Sequence, residues 1–136
     1  MKKIVLVGLM LMSAGCVTEP GEQGAEAEAA AAGEAALAEA IGDRRPQAPV
    51  ACVSQRNLQG NRSVGDAIVF GGPGDTIYVN RPAGGCSGLT DSRTLVTRTT
   101  SSQLCRGDIA TIVDSATGMF QGSCGLGDFT PYSRAR

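Results

Sequence analysis

Cys52, Cys86, Cys105 and Cys124 restrict most what this 136-residue chain can become. Residues 50–136 hold only about twenty large apolar side chains, a thin core for one small domain. Covalent staples offset such a deficit in an oxidising compartment, and an even count of cysteines fits two disulfides. A bridge closing about 50 residues contributes roughly 4 kcal/mol in the loop-entropy account, before native strain. No pair is spaced C-x-x-C, so neither a thioredoxin-type motif nor a zinc ribbon is present. Four free thiols, or one zinc held by all four, are the competing readings, and export disfavours the first. Four cysteines allow three connectivities, and spacing does not choose among them.

A fifth cysteine stands apart. Met1-Lys2-Lys3 is a short positive segment, and Ile4 to Met12 is an apolar run. The run is too short to span a bilayer, which needs about 20 apolar residues, but it suits a secretory signal. Ser13-Ala14-Gly15 then lead into Cys16. These residues resemble the lipobox of bacterial lipoproteins, in which the cysteine is acylated and the signal is cut before it. That resemblance makes Cys16 the lipid-bearing residue and residues 1–15 a signal peptide. Ser13 departs from it, since a leucine is usual three places before the cysteine. The competing reading is an ordinary secretory signal cut nearby. Val17 is not the aspartate that resembles an inner-membrane retention signal, so delivery to the outer membrane, facing the periplasm, is expected.

Charge and composition exclude several chemistries. The chain has no histidine and no tryptophan, and its only lysines are Lys2 and Lys3. An imidazole base or metal ligand, a Schiff-base amine and a phosphate-loop lysine are therefore absent from residues 16–136. Seven acids against Arg44 and Arg45 leave residues 17–45 at a net −5, whereas eight arginines against six aspartates leave residues 46–136 at +2. The second value is far from the dense basic stripe of a nucleic-acid binder. No cofactor is implied.

Residues 16–48 read as a tether. Glu26 to Ala32 and Glu34 to Ile41 favour helix, but Leu37 and Ile41 are the only large apolar pair, and Gly21, Gly24, Gly33 and Gly42 interrupt. A negatively charged, partly helical, flexible spacer is expected, and a partner-binding helix is the sharper alternative. Arg44-Arg45-Pro46 through Pro49 mark the domain boundary.

Residues 49–136 read as a mostly β domain, a small antiparallel curled sheet or partly open barrel. Asp66 to Phe70 and Thr76 to Asn80 flank Gly71-Gly72-Pro73-Gly74-Asp75, which predicts a hairpin. Ile77 and Val79 share one face; Thr76, Tyr78 and Asn80 share the other. Thr94 to Thr100 and Ile109 to Val113 predict two further strands, with edge pieces at Met119-Phe120 and Leu126 to Phe129. Val53 to Leu58 suits a single helical turn before a strand near Arg62-Ser63-Val64.

A set of segments carries a second resemblance: Cys52-Val53, Asp66 to Phe70, Cys86 to Leu89, Ser102 to Cys105, Asp108 to Val113, and Ser123 to Pro131. In this order they resemble an uncharacterised family of secreted proteobacterial proteins, the domain-of-unknown-function family numbered 6491. That family has no established activity, so the resemblance implies a relative and not a function. It does imply a pairing. Members with only two cysteines keep those matching Cys86 and Cys124, which favours Cys86–Cys124 together with Cys52–Cys105.

Candidate sites are few. Asp66, Asp75, Asp108 and Asp114 are the candidates for paired carboxylates, yet each borders a strand or turn, where aspartate satisfies backbone N–H groups. Ser63, Ser87 and Ser102 have no histidine or lysine to deprotonate them. Gly122 to Gly127 is glycine-dense but has no lysine or following helix to cradle phosphate, so a tight turn is expected there. Arg56, Arg62, Arg81, Arg93, Arg98 and Arg106 offer an anion-binding face. The expectation is a non-catalytic, lipid-anchored envelope module that is structural or binds an envelope protein. A small-ligand or anion-binding domain is the alternative.

Overall fold

The structure is a computed structural model that describes residues 20–86, 88–90 and 92–135. The signal segment, Cys16 and Ser87 therefore lie outside the described residues. The chain runs α1 (Pro20–Ile41), β1 (Arg45–Pro46), β2 (Cys52–Ser54), a 3-10 turn (Gln55–Asn57), β3 (Gln59–Val64), β4 (Ala67–Gly71) and β5 (Ile77–Asn80). It continues with β6 (Arg93–Thr97), β7 (Gln103–Cys105), β8 (Ile109–Asp114), β9 (Phe120–Gly125) and β10 (Phe129–Ser133).

The strands form a five-stranded sheet in the order β1-β10-β5-β4-β3, a two-stranded β2-β7 sheet and a three-stranded β6-β8-β9 sheet. Every pairing is antiparallel. The mostly β, antiparallel expectation holds, and the sheets are not closed into a barrel.

Local chemistry sets the turns. In the β4–β5 hairpin, Gly72 N–H donates to Thr76 O and Thr76 N–H to Pro73 O, with Gly74 at φ +61°. After β8, Asp114 Oδ1 accepts from the N–H groups of Ala116 and Thr117 and from Thr117 Oγ1. The Thr117 bonds hold the Asp114 carboxyl below the usual aspartate value of 3.8.

Strand alternation divides the interior in two. Ile68 and Phe70 face a main core with Val53, Leu95, Leu104, Ile112, Leu126 and Phe129. Phe70 and Phe129 are tilted rings with centroids 5.7 Å apart, within the range where aromatic pairs attract. Ala67, Val69 and Val79 face the other way, onto Leu37 of α1. The alternation read in β5 is therefore correct, and the face bearing Tyr78 and Asn80 is the one turned to the main core.

The glycine-dense run after Gln121 differs from its expectation. It is not a tight turn: residues up to Gly125 are strand β9, paired with β8 from Ile109 to Val113. Beyond it, Gly127 passes close to β5. Asn80, fully buried, donates through Nδ2 to Gly127 O at 2.8 Å and accepts from Gly127 N–H at 2.9 Å. A Cβ on Gly127 would collide with the Arg81 carbonyl oxygen. Asn80 thus ties the β9–β10 connection to β5. Asn80→Ala leaves the Gly127 N–H and C=O without that partner and is expected to cost about 2 kcal/mol. Thermal unfolding with both disulfides intact checks this, and an unchanged midpoint would show that the clasp carries no stability.

Candidate functional site

The four domain cysteines form two bridges, Cys52–Cys105 and Cys86–Cys124. This is the pairing that the family resemblance implied. Cys52 and Cys105 are register partners in the two-stranded sheet, whereas Cys86–Cys124 ties the loop after β5 to the buried side of β9. Both bridges are structural by position. Cys16 lies outside the described residues.

Of the candidate aspartates, Asp108 and Asp114 serve the backbone. Asp108 Oδ2 accepts from Cys105 N–H at 2.7 Å, and Asp108 N–H donates to Cys105 O. Asp75 pairs with Arg134, and Asp66 sits exposed in the β3–β4 turn. Among the described residues no three acidic or sulfur groups gather as a metal site.

The arginines do not converge. Arg81 is bound to Glu34, Arg106 to Asp128, and Arg93 Nη1 donates to Gly88 O at 2.5 Å. Two open hollows of about 570 Å³ are lined by one arginine each, Arg62 in one and Arg134 in the other. A smaller one of about 190 Å³ has Leu58, Phe70 and Leu104 as its floor and no arginine.

The surface with a definite architecture is the helix and the sheet beneath it. Residues 21–32 of α1 are exposed, and the last two turns dock on the β3–β5 region. Leu37 is 2% exposed against Ala67, Val69 and Val79, with Ile41 beside it. Gly33 meets Gly65 backbone to backbone: a Cβ on Gly33 would stand 2.9 Å from Gly65 Cα. Arg81 grips Glu34 through both nitrogens, at 2.6 and 2.9 Å. Gly42, at φ +60°, ends the helix, and its N–H donates to Ala38 O.

Residues 33–46, assigned by composition to the tether, thus contribute to the folded unit through α1 and β1. Leu37 and Ile41 were visible as a pair, but the glycine-to-glycine approach that lets one leucine suffice leaves no hydrophobic pattern. The arginine bond lowers the Glu34 carboxyl from its ordinary 4.5, and Arg134 does the same to Asp43 from 3.8. Away from α1, Ile109 and Phe120 are 58% and 68% exposed on the three-stranded sheet, which no helix of the described residues covers.

No family model matches the chain, and no curated protein or solved structure matches it.

The Glu34 shift fixes a sign. A carboxyl lowered in the folded state adds stability above its unfolded value and loses it as pH falls through the folded one. Glu34→Gln is therefore expected to lower the unfolding midpoint at pH 6 and to lower it less at pH 2, as the folded carboxyl takes up its proton. Paired thermal melts at the two pH values check this. An equal deficit at both would show that Glu34 acts through packing.

Proposed function

We propose that this chain is the precursor of a bacterial envelope lipoprotein, cut before Cys16 and acylated there, whose folded domain is a non-catalytic structural or protein-binding module facing the periplasm. The observation that carries the reading is the cysteine count. Two bridges use the four domain cysteines and leave over only Cys16, directly after an apolar run and Ser13-Ala14-Gly15. Disulfides of this kind belong to an oxidising compartment. Several acyl chains on one residue anchor firmly, at about 0.8 kcal/mol per buried CH₂. The resemblance to the secreted proteobacterial family belongs to the same proposal.

The helix gives the display its form. Val17, Thr18 and Glu19 lie in sequence between Cys16 and Pro20, the first described residue of α1. From there to the docked Gly33 a helix rises roughly 20 Å. The domain then rides on an acidic arm whose far end is fixed to the sheet by Leu37 and the Glu34–Arg81 pair. The non-catalytic part of the reading is supported by the aspartates' bonds to backbone and arginine, by the lack of histidine, and by the lack of lysine after Lys3.

Intact-mass and peptide analysis of the membrane-purified protein is the test. The expected species begins at Cys16, carries acyl chains there and holds both bridges. Cys16→Ser is expected to move the protein out of the membrane fraction. A chain with residues 1–15 attached and four reduced domain thiols would overturn the proposal.

A further inference from the structure

An edge strand exposes a row of unpaired N–H and C=O groups, and proteins blunt such edges with short length, proline, charge or a bulge. The open strands of this fold are guarded unequally. Strand β1 is Arg45 and Pro46 alone, and β2 and β7 have three residues each. Strand β3 carries Arg62, has a bulge at Gly60 and packs on α1. Strand β6 begins with Arg93 and runs into Arg98. Strand β9, Phe120–Gly125, has neither charge nor proline, and its one irregularity is the extra residue Gln121 near its start.

Charge selects the occupant. Across a two-fold axis each side chain near the axis meets its own copy, so a charged edge repels itself. Among the described residues, β9 is the only open strand longer than three residues that avoids this. Antiparallel pairing within one sheet sets residues of the same face opposite one another. Ser123 is exposed and shares the outer face with Thr111, its partner in β8. We propose that two copies of this chain join through β9, antiparallel about an axis at Ser123, to form one continuous six-stranded sheet.

This register accounts for the exposed apolar residues. It sets the bulged Phe120-Gln121 pair beside Gly125 of the second copy. Gly125 has no side chain there, and Ile109 is its partner in β8; a Cβ on Gly125 would stand 4.0 Å from Ile109 Cδ1. Phe120 and Ile109 lie at opposite ends of the β8–β9 pairing in one copy and become neighbours across the axis, twice. Met119, 64% exposed, flanks the same contact. A single strand pair buries less than the ~1,200 Å² of a standard interface, so the contact belongs where copies are concentrated, and it does not depend on how the chain is anchored.

The test uses the full chain in its producing cells, tagged at the C-terminus, with photo-reactive benzoylphenylalanine replacing Phe120. Irradiation is expected to give a covalent species of twice the chain mass, joined within residues 109–125 of a second copy. Ser123→Lys sets two ammonium groups opposite each other and is expected to cut the adduct about fivefold or more. Ser101→Lys, at the exposed β6–β7 turn, leaves it unchanged. Mass analysis without reduction confirms both bridges in each variant. If Ser123→Lys loses them, Gln121→Lys at the exposed bulge replaces it under the same criteria. No self-adduct, an adduct only to a different protein, or a yield indifferent to the lysine would overturn the proposal.

Discussion

Burial of β4 from both sides is the constraint on which the rest depends. Ala67, Ile68, Val69 and Phe70 are four successive buried residues in an antiparallel sheet, an arrangement that commonly leaves one face to solvent. Ile68 and Phe70 need the two smaller sheets over them, and Ala67 and Val69 need something on the other side. With few aromatics in the chain, that second cover comes from the segment before the strands. Leu37 supplies it at one point, and Gly33 against Gly65 brings the backbones close enough for one side chain to serve. Burying a leucine gives about 1.5–3 kcal/mol, a sizeable fraction of the roughly 5–15 kcal/mol by which a domain is stable. The helix is a layer of the fold.

The disulfides work where strands are short and where a loop has little secondary structure of its own. Cys52–Cys105 closes a two-stranded sheet of three-residue strands, too short to hold by ladder bonds alone. Cys86–Cys124 fixes the loop between β5 and β6 to β9, where Leu89 is the buried apolar residue. Sequence separations of 53 and 38 residues put each at roughly 4 kcal/mol in the loop-entropy account. Hydrophobic packing holds sheet on sheet, and covalent bonds reinforce the short pieces, which reach the core through the buried Val53, Leu104 and Leu89.

The legible parts of the sequence are those governed by side-chain period. Strands β4, β5, β6 and β8 carry β-branched runs between turn residues and lie within a residue or two of their expected places, apart from the C-terminal end of β6. Strands β1, β2 and β7 were not legible, because two or three residues have no period and owe their extension to a partner. Most of strand β9 read as a turn because Gly122 and Gly125 suggest one, with Phe120 alone falling in an expected edge piece, yet its partner β8 holds it extended. Asn80 read as one polar position among several; its burial follows from Gly127, forty-seven residues away. The helix was expected from propensity and its docking was not, since that docking rests on absent side chains at Gly33 and Gly65. The bridge pattern came only through resemblance, as spacing is silent on it.

The two outer faces are therefore unlike for a physical reason. The outer face of the five-stranded sheet meets α1 and is satisfied within the chain. The outer face of the three-stranded sheet has Val96, Ile109, Thr111, Val113 and Phe120 with no charged residue among them, and no second helix follows β10 to cover it before residue 135. A lone exposed apolar side chain means little, but an uncharged sheet face continuous with an unguarded edge is a surface at which association is favoured over solvation. Because α1 packs on the other sheet, the proposed pairing through β9 would leave the helix free. The proposed display on the arm and the proposed contact through the sheet are mechanically independent, and each can fail without the other.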